Sequence, residues 1–304
     1  MRALILSNSV ACYKEDIKIP KLTDEYNVLV KVHYAGICRT DIGIADGVIP
    51  AKDGVILGHE FCGEIVGFVN NREELDGWVI GAAVSVNPMQ FGKTDDLMCG
   101  KDCDGAFSEY IAAPSKALIG IARHLLSPLG AFLEPVAAAL APLKFIEKHG
   151  DGAICIFGDN RIAELTFQVA HTMGVKGIEL KRYLEELIQN HYDCIVETEA
   201  EHIDAYAEAL KPGGMLILKS RSYKPTSLVA NTIAMKEIRV QGARYGDFHV
   251  ASHILSATAS GLQNTLDTNA LFGNIYELKD FRAAFADAES RGSKKIFFRI
   301  CAES

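Results

Sequence analysis

The 304-residue sequence lacks any apolar run long enough to cross a bilayer, which takes about 20 consecutive residues. Its opening stretch, "MRALILSNSVACYKED", also holds too little contiguous apolar length for the core of a secretory signal. Positive charge is not in excess either: 31 Lys and Arg stand against 39 Asp and Glu, a formal net charge of -8. That balance argues against a basic face for nucleic acid or for an anionic membrane surface. The eight cysteines, at 12, 38, 62, 99, 103, 155, 194 and 301, are scattered without the density of a small disulfide scaffold. In a chain of this size with no signal segment they are expected to be reduced thiols, some of them available as metal ligands. Internal repeats and low-complexity tracts are also missing. The lack of a signal segment and the scattered thiols point to the cytosol.

What is present is ordinary globular composition, 49% hydrophobic and 23% charged. The length allows two domains of roughly 150 residues, each with its own core. The first 115 residues read as β structure. "NVLVKVHYAG" alternates Val28, Val30 and Val32 with Lys31 and His33, the pattern of a half-buried strand. "FCGEIVGFV" and "WVIGAAVSVNP" are similar runs punctuated by Gly and Asp, so a small barrel or sandwich is expected.

From about residue 129 the period changes. "LGAFLEPVAAALAPLKFIEKHG" has helical spacing and predicts a helix ending at Gly150. The segments that follow alternate strand and helix from "AICIFG" to "MLILKS", the pattern of βαβ units around a parallel sheet. One unit is short. A single helix, over "KRYLEELIQNH", separates "GIEL" from "YDCIVET", where a full nucleotide-binding half would fit a further strand. The tail, "NIYELKDFRAAFADAESRGSKKIFFRI", reads as strand, helix and strand, returning to the first domain. The expected division is 1–128 with 268–304 for the β-rich domain, and 129–267 for the α/β domain.

Two short motifs carry the sharpest chemical signal: "GICRTD" at 36–41 and "GHE" at 58–60. Cys38 as thiolate and His59 as neutral imidazole suit zinc, which favours sulfur and nitrogen ligands in a tetrahedron. Glu60 follows His59 directly, and Glu134 at the start of a helix is a second source of a carboxylate oxygen. Three firm protein ligands would leave one position open, as a catalytic zinc requires. Thr40, two residues after Cys38 on an expected extended segment, would face the same side and offer a hydroxyl for proton relay. Asp41 would orient His59 by accepting its other ring N–H. Taken singly, a cysteine is most often a small buried hydrophobe and a histidine a satisfied polar residue. Their joint pattern is what points to a metal.

"GICRTD", "GHEFCGEIVG", "DGAFSEYIAAP", "FLEPVAAAL" and "EIRVQGARYGDF" together resemble the zinc-dependent medium-chain dehydrogenases/reductases, the alcohol dehydrogenase superfamily. Glu134-Pro135 is nearer the polyol and threonine dehydrogenase branch than the ethanol branch. The resemblance covers nearly the whole chain. It implies a GroES-like β-rich catalytic domain plus a shortened Rossmann domain, a doubly wound parallel sheet. It also implies one catalytic zinc, held by Cys38 and His59 with Glu60 or Glu134, and Thr40 as the hydroxyl relay. The structural zinc of many members needs four cysteines. Here "MQFGKTDDLMCGKDC" has only Cys99 and Cys103, which cannot close a tetrahedral site.

The dinucleotide loop departs from its pattern. G-x-G-x-x-G/A normally brings backbone N–H groups and a helix N-terminus against the pyrophosphate. In "GDNRIA", residues 158–163, Gly158 is kept and Ala163 fills the small last position, but the middle glycine is Asn160. Asn tolerates left-handed backbone angles better than most residues, and its amide can donate to a phosphate oxygen. Arg161 and Ile162 complete the loop at the helix start. Counting on from Gly158, the family's acidic position falls on Arg182, beside Lys181, which favours NADP over NAD; Glu179 keeps NAD open. The reading is therefore a zinc-dependent oxidoreductase moving hydride between a secondary alcohol or polyol and a nicotinamide cofactor. The alternative is a dehydrogenase-derived zinc protein with a non-redox or scaffold role. By resemblance, and from the possible edge strand "EIRVQGARYG", a homodimer is expected.

Overall fold

The computed structural model describes residues 1–92, 97–146, 152–221, 230–290 and 294–301. Gly150, the expected helix end, lies outside them. The described chain forms two compact units. The first comprises Met1–Pro135, Phe248–Gly261 and Phe272–Ser304, and the second Val136–Asp247 and Leu262–Leu271.

The first unit is built on a seven-stranded sheet. Its central strand, Val28–Gly36, pairs antiparallel with Glu60–Phe68, with Tyr110–Ala113 and with Lys295–Arg299. The alternation read in the sequence holds over Val28, Val30 and Val32, fully buried, with Lys31 only partly covered, but it fails at His33, which is buried where the strand register shifts between Val32 and Tyr34. The tail does return to this sheet. Phe272–Glu277 runs parallel to Lys295–Arg299, and the helix Phe281–Glu289 buries Phe281, Ala284 and Phe285 in the same core. Register matters here, because Gly36 lies opposite both Glu60 and Phe297 and so sits between the two neighbouring strands.

The second unit holds a five-stranded parallel sheet in the order Ile178–Lys181, Ile154–Phe157, Tyr192–Glu197, Leu210–Leu218, Arg239–Gly242. Buried on both faces, its inner strands are apolar runs such as "ICIF" rather than alternating ones. The chain reverses direction across the sheet between Ile154–Phe157 and Tyr192–Glu197. In a doubly wound sheet ligands bind at such a reversal, outside the carboxyl ends of the strands.

Three local expectations need correction. The helix expected over "KRYLEELIQNH" is a single 3-10 turn, Leu184–Glu186. The Glu186 carboxylate accepts from the Arg182 and Tyr183 N–H groups at 2.7 and 2.8 Å, closing one turn. Leu187 then leaves in an extended conformation, and Leu184 and Leu187 already pack against the core. A second correction concerns the helix expected from residue 129. It is broken into Pro128–Ala131, Leu133–Leu140 and Leu143–Ile146. Phe132 leaves the helical region, and Pro142, which has no N–H to donate, starts the last piece. Thirdly, the segment after Cys38 is helical rather than extended, over Arg39–Ala45. Among the described residues no helix is long and apolar enough to cross a membrane.

Candidate metal centre and dinucleotide loop

Cys38 stands at the N-cap of the Arg39–Ala45 helix. Asp41, one turn in and fully buried, accepts the Cys38 backbone N–H through Oδ2 at 2.9 Å. Its other oxygen, Oδ1, lies 3.1 Å from His59 Nδ1. One carboxylate thus fixes both the cysteine backbone and the histidine ring. Accepting from Nδ1–H keeps the lone pair on Nε2, the tautomer a metal ligand needs. His59 and Glu60 enter the sheet at the start of Glu60–Phe68, each only 1% exposed.

The candidate ligand atoms of Cys38, His59 and Glu60 all lie within 4.8 Å of one another. Glu134 is buried in the first turn of Leu133–Leu140 but is not a member of that trio. Its charge nevertheless reaches the trio and raises the Glu60 carboxyl. Burial is the larger cause of that upward shift, and Lys295 opposes it. For His59, burial works to lower the pKa, yet the Asp41 carboxylate and Cys38 together hold it well above its ordinary value. The imidazole therefore sits in a field that favours a positive charge. A cluster of one thiol, one imidazole and one carboxylate, desolvated and convergent, has the donor chemistry that zinc selects.

Thr40 occupies the first helical turn, and its Oγ1 accepts from Cys38 Sγ at 3.6 Å. The helical turn thus brings the hydroxyl to the cluster, although the expected route was an extended strand. Lys295 was not anticipated. It is 1% exposed and forms an ion pair with Glu60. The pair spans Gly36, where a Cβ would run into both Glu60 Oε2 and the Lys295 side chain. Its only sequence trace is a lysine heading the apolar run "KIFFRI". Cys99 and Cys103 serve as donors in the loop around Gly58: Cys99 Sγ donates to the Gly58 and Asp104 carbonyls at 3.6 Å each, and Cys103 Sγ to Met98 at 3.8 Å. Burial pushes the Cys103 thiol up to about 11 and holds the Cys99 thiol well above its ordinary value, so both stay protonated.

In the second unit, Gly158 closes the Ile154–Phe157 strand at φ 145, and a Cβ there would meet Thr198 Oγ1 and Asn160. Asn160 does not use the left-handed angles that an Asn tolerates. Its backbone is extended, φ -153 and ψ 164, as the N-cap of the Arg161–Thr172 helix. Its amide faces inward instead of toward an external phosphate. Oδ1 accepts from the Ile162 and Ala163 N–H groups at 2.9 and 3.1 Å, and Nδ2 donates to Thr198 Oγ1 at 2.8 Å. An Asn at this position satisfies orphan helix donors better than glycine can, which is the reason for the swing. Lys181 and Arg182 do lie at the end of the second strand, but each is engaged with a carboxylate. Lys181 pairs with Glu179 at 3.0 Å and Arg182 with Glu164 at 2.8 Å. Two further residues were missed: Thr198, and Glu199, whose Oε1 accepts the Asp159 N–H at 2.8 Å.

Residues 24–123 match the family model of the alcohol dehydrogenase GroES-like domain. The chain is 25% identical to the D-xylulose reductase of Scheffersomyces stipitis, covering 89% of this chain and 90% of that one. It is 26% identical to the sorbitol dehydrogenase of Halalkalibacterium halodurans, covering 90% and 91%. Among solved structures, the acetophenone reductase of Geotrichum candidum in complex with NAD has a TM-score of 0.79 at 16% identity, covering 98% of this chain and 96% of that one. That likeness extends the fold over both units.

Proposed function

We propose that the chain is a zinc-type medium-chain dehydrogenase/reductase of the polyol side, and that it oxidises a secondary alcohol or polyol, or reduces the matching ketone, with NADP. The observation that carries the proposal is the trio of half-buried Cys38 with buried His59 and Glu60, ordered by Asp41. These three residues would hold one catalytic zinc, with Glu134 in reserve beside them. Zinc bound there supplies a Lewis acid that polarises the alcohol oxygen. A nicotinamide dinucleotide supplies the hydride acceptor.

The chain's own groups do the rest. Asp41 holds the His59 ring in the tautomer that points a lone pair at the cluster. Lys295 balances the Glu60 charge in a site from which water is excluded. Thr40, half-buried beside Cys38, takes the hydroxyl proton and passes it outward. The loop keeps its backbone fit to a dinucleotide in Gly158, in the Arg161–Thr172 helix start and in Ala163, buried against the sheet. Lys181 and Arg182 at the second strand end favour a 2′-phosphate, and hence NADP.

The polyol and sugar-alcohol dehydrogenase relatives favour this reading over a scaffold role. A cytosolic homodimer is the assembly we propose, because Arg239–Gly242 is an edge strand with Val240 42% exposed. The test is reduction of NADP and NAD by the zinc-loaded protein against a panel of polyols and secondary alcohols. Alcohol-dependent reduction, faster with NADP, is the expected result. No reduction with any alcohol, by protein shown to carry zinc, would end the proposal.

A further inference from the structure

At the reversal point of the parallel sheet, four backbone donors of the loop, at 158, 159, 162 and 163, are already used inside the chain. The Gly158 N–H donates to the Lys181 carbonyl at 3.0 Å. The Ile162 and Ala163 N–H groups go to Asn160 Oδ1. The Asp159 N–H goes to Glu199 Oε1 at 2.8 Å, and Asn160 Nδ2 lies 3.3 Å from the same oxygen. Thr198 ties the two sides together: its hydroxyl donates to the Phe157 carbonyl at 2.8 Å and accepts from Asn160. Among the groups that accept these donors only Glu199 is a carboxylate; the side chain of Asp159 lies 4.0 Å from Arg182 instead. Glu199 stands two residues beyond the end of Tyr192–Glu197, across the crevice from the loop.

A carboxylate on a backbone N–H beside a helix N-terminus occupies the electrostatic place of a phosphate. It cannot share that place with one, because two anions at contact distance repel strongly where solvent is partly excluded. Resting on the dinucleotide reading above, we propose that Glu199 is the residue that sets cofactor affinity: it is a resident anion that a nicotinamide dinucleotide must displace to reach the loop. Asn160 and Thr198 position it, and the crevice is closed in the cofactor-free protein. Loading the dinucleotide thus requires Glu199 to give up the Asp159 N–H and move out of the crevice.

Two carboxylates separate local occupancy from general charge. Glu199 touches the loop, whereas Glu201, two residues on, has a side chain 83% exposed. The experiment titrates zinc-loaded parent, Glu199→Gln, Glu199→Ala and Glu201→Gln with NADPH and NADH by nicotinamide fluorescence. Both Glu199 variants are expected to bind at least tenfold tighter than the parent, and Glu201→Gln within twofold of it. Hydrogen exchange of the Asp159 amide, measured without cofactor, is expected to be slow in the parent and faster in Glu199→Ala. Equal affinity of parent and both Glu199 variants would overturn the proposal while leaving the dehydrogenase reading intact. So would an equal gain from Glu201→Gln, which would mean a general field effect, or an Asp159 amide that exchanges no faster in Glu199→Ala. Absence of binding to every folded, zinc-loaded form would instead overturn the dinucleotide reading and the role of Glu199 with it.

Discussion

The two chemically active regions of this chain treat their polar groups in opposite ways. At the candidate metal centre, Asp41 and Lys295 are spent on aiming and balancing Cys38, His59 and Glu60, whose candidate ligand atoms lie within 4.8 Å of one another. In the dinucleotide loop, the helix N-terminus and the Asp159 N–H are turned onto Asn160 and Glu199 of the same chain. The first region gathers donor atoms that face one another, whereas the second satisfies its donors within the chain. Burial explains part of the contrast: His59 and Glu60 are 1% exposed, and an unpaired charge there would be costly, so partners are built in. The loop lies near solvent, where a fixed capping group stabilises the protein and a ligand can still compete with it.

The largest effect that could break this contrast is expected at Cys38. Cys38→Ala removes the only sulfur of the trio, and zinc content should fall to near zero. Alcohol-dependent activity should fall about a thousandfold or more, the scale of several kcal/mol of lost charge stabilisation. Metal analysis and turnover check both. Zinc retained in full by the variant would move the metal centre elsewhere.

Next comes Lys295. Lys295→Met strands the Glu60 carboxylate in a buried site and should destabilise the fold by about 3–5 kcal/mol, the scale for breaking a buried pair. Adding Glu60→Gln should recover much of that loss in denaturant melts. A single variant as stable as the parent would mean that the pair carries no structural role.

A smaller effect is expected at Asp41. Asp41→Asn can present an N–H to His59 Nδ1, which forces the ring proton onto Nε2 and spoils the ligand. Zinc affinity should weaken by about 10–100-fold, as for other groups that orient metal-bound histidines. Competition with a chelator measures it, and unchanged affinity would show that the ring is held by other means.

The smallest effect is on the other side of the comparison. Asn160→Ala removes the helix cap and should cost about 1 kcal/mol of stability. It should leave zinc content at the parent level. A stability loss no larger than a few tenths would show that Asn160 does not face inward in solution.

How much of this was legible in the sequence follows the same divide. The metal motifs were readable because each is local: four residues from Cys38 to Asp41 fold into one helical turn, and His59 and Glu60 are adjacent. The parallel sheet was readable too, since its buried strands are apolar runs, and the short unit was visible as a missing strand. Lys295 was hidden because its pairing with Glu60 depends on register across Gly36 and on a strand from the far end of the chain. Glu199 was hidden for a different reason. The loop pattern attends only to the first strand and helix, while the competing carboxylate sits inside the acidic run "ETEAE" that ends the next strand but one in the chain. The helix expected over residues 181–191 failed because Glu186 caps a single turn strongly enough to end it.

The central claim is that a bound alcohol gives its hydride to a nicotinamide in this chain. A single-turnover reaction with a secondary alcohol or polyol deuterated at the carbinol carbon tests it most directly. Zinc-loaded protein, NADP and the labelled alcohol should yield reduced nicotinamide carrying one deuterium at C4, seen by mass spectrometry. Cys38→Ala, run beside it, should yield none. Reduced cofactor without deuterium, or no reduction by protein with both zinc and dinucleotide bound, would contradict the account.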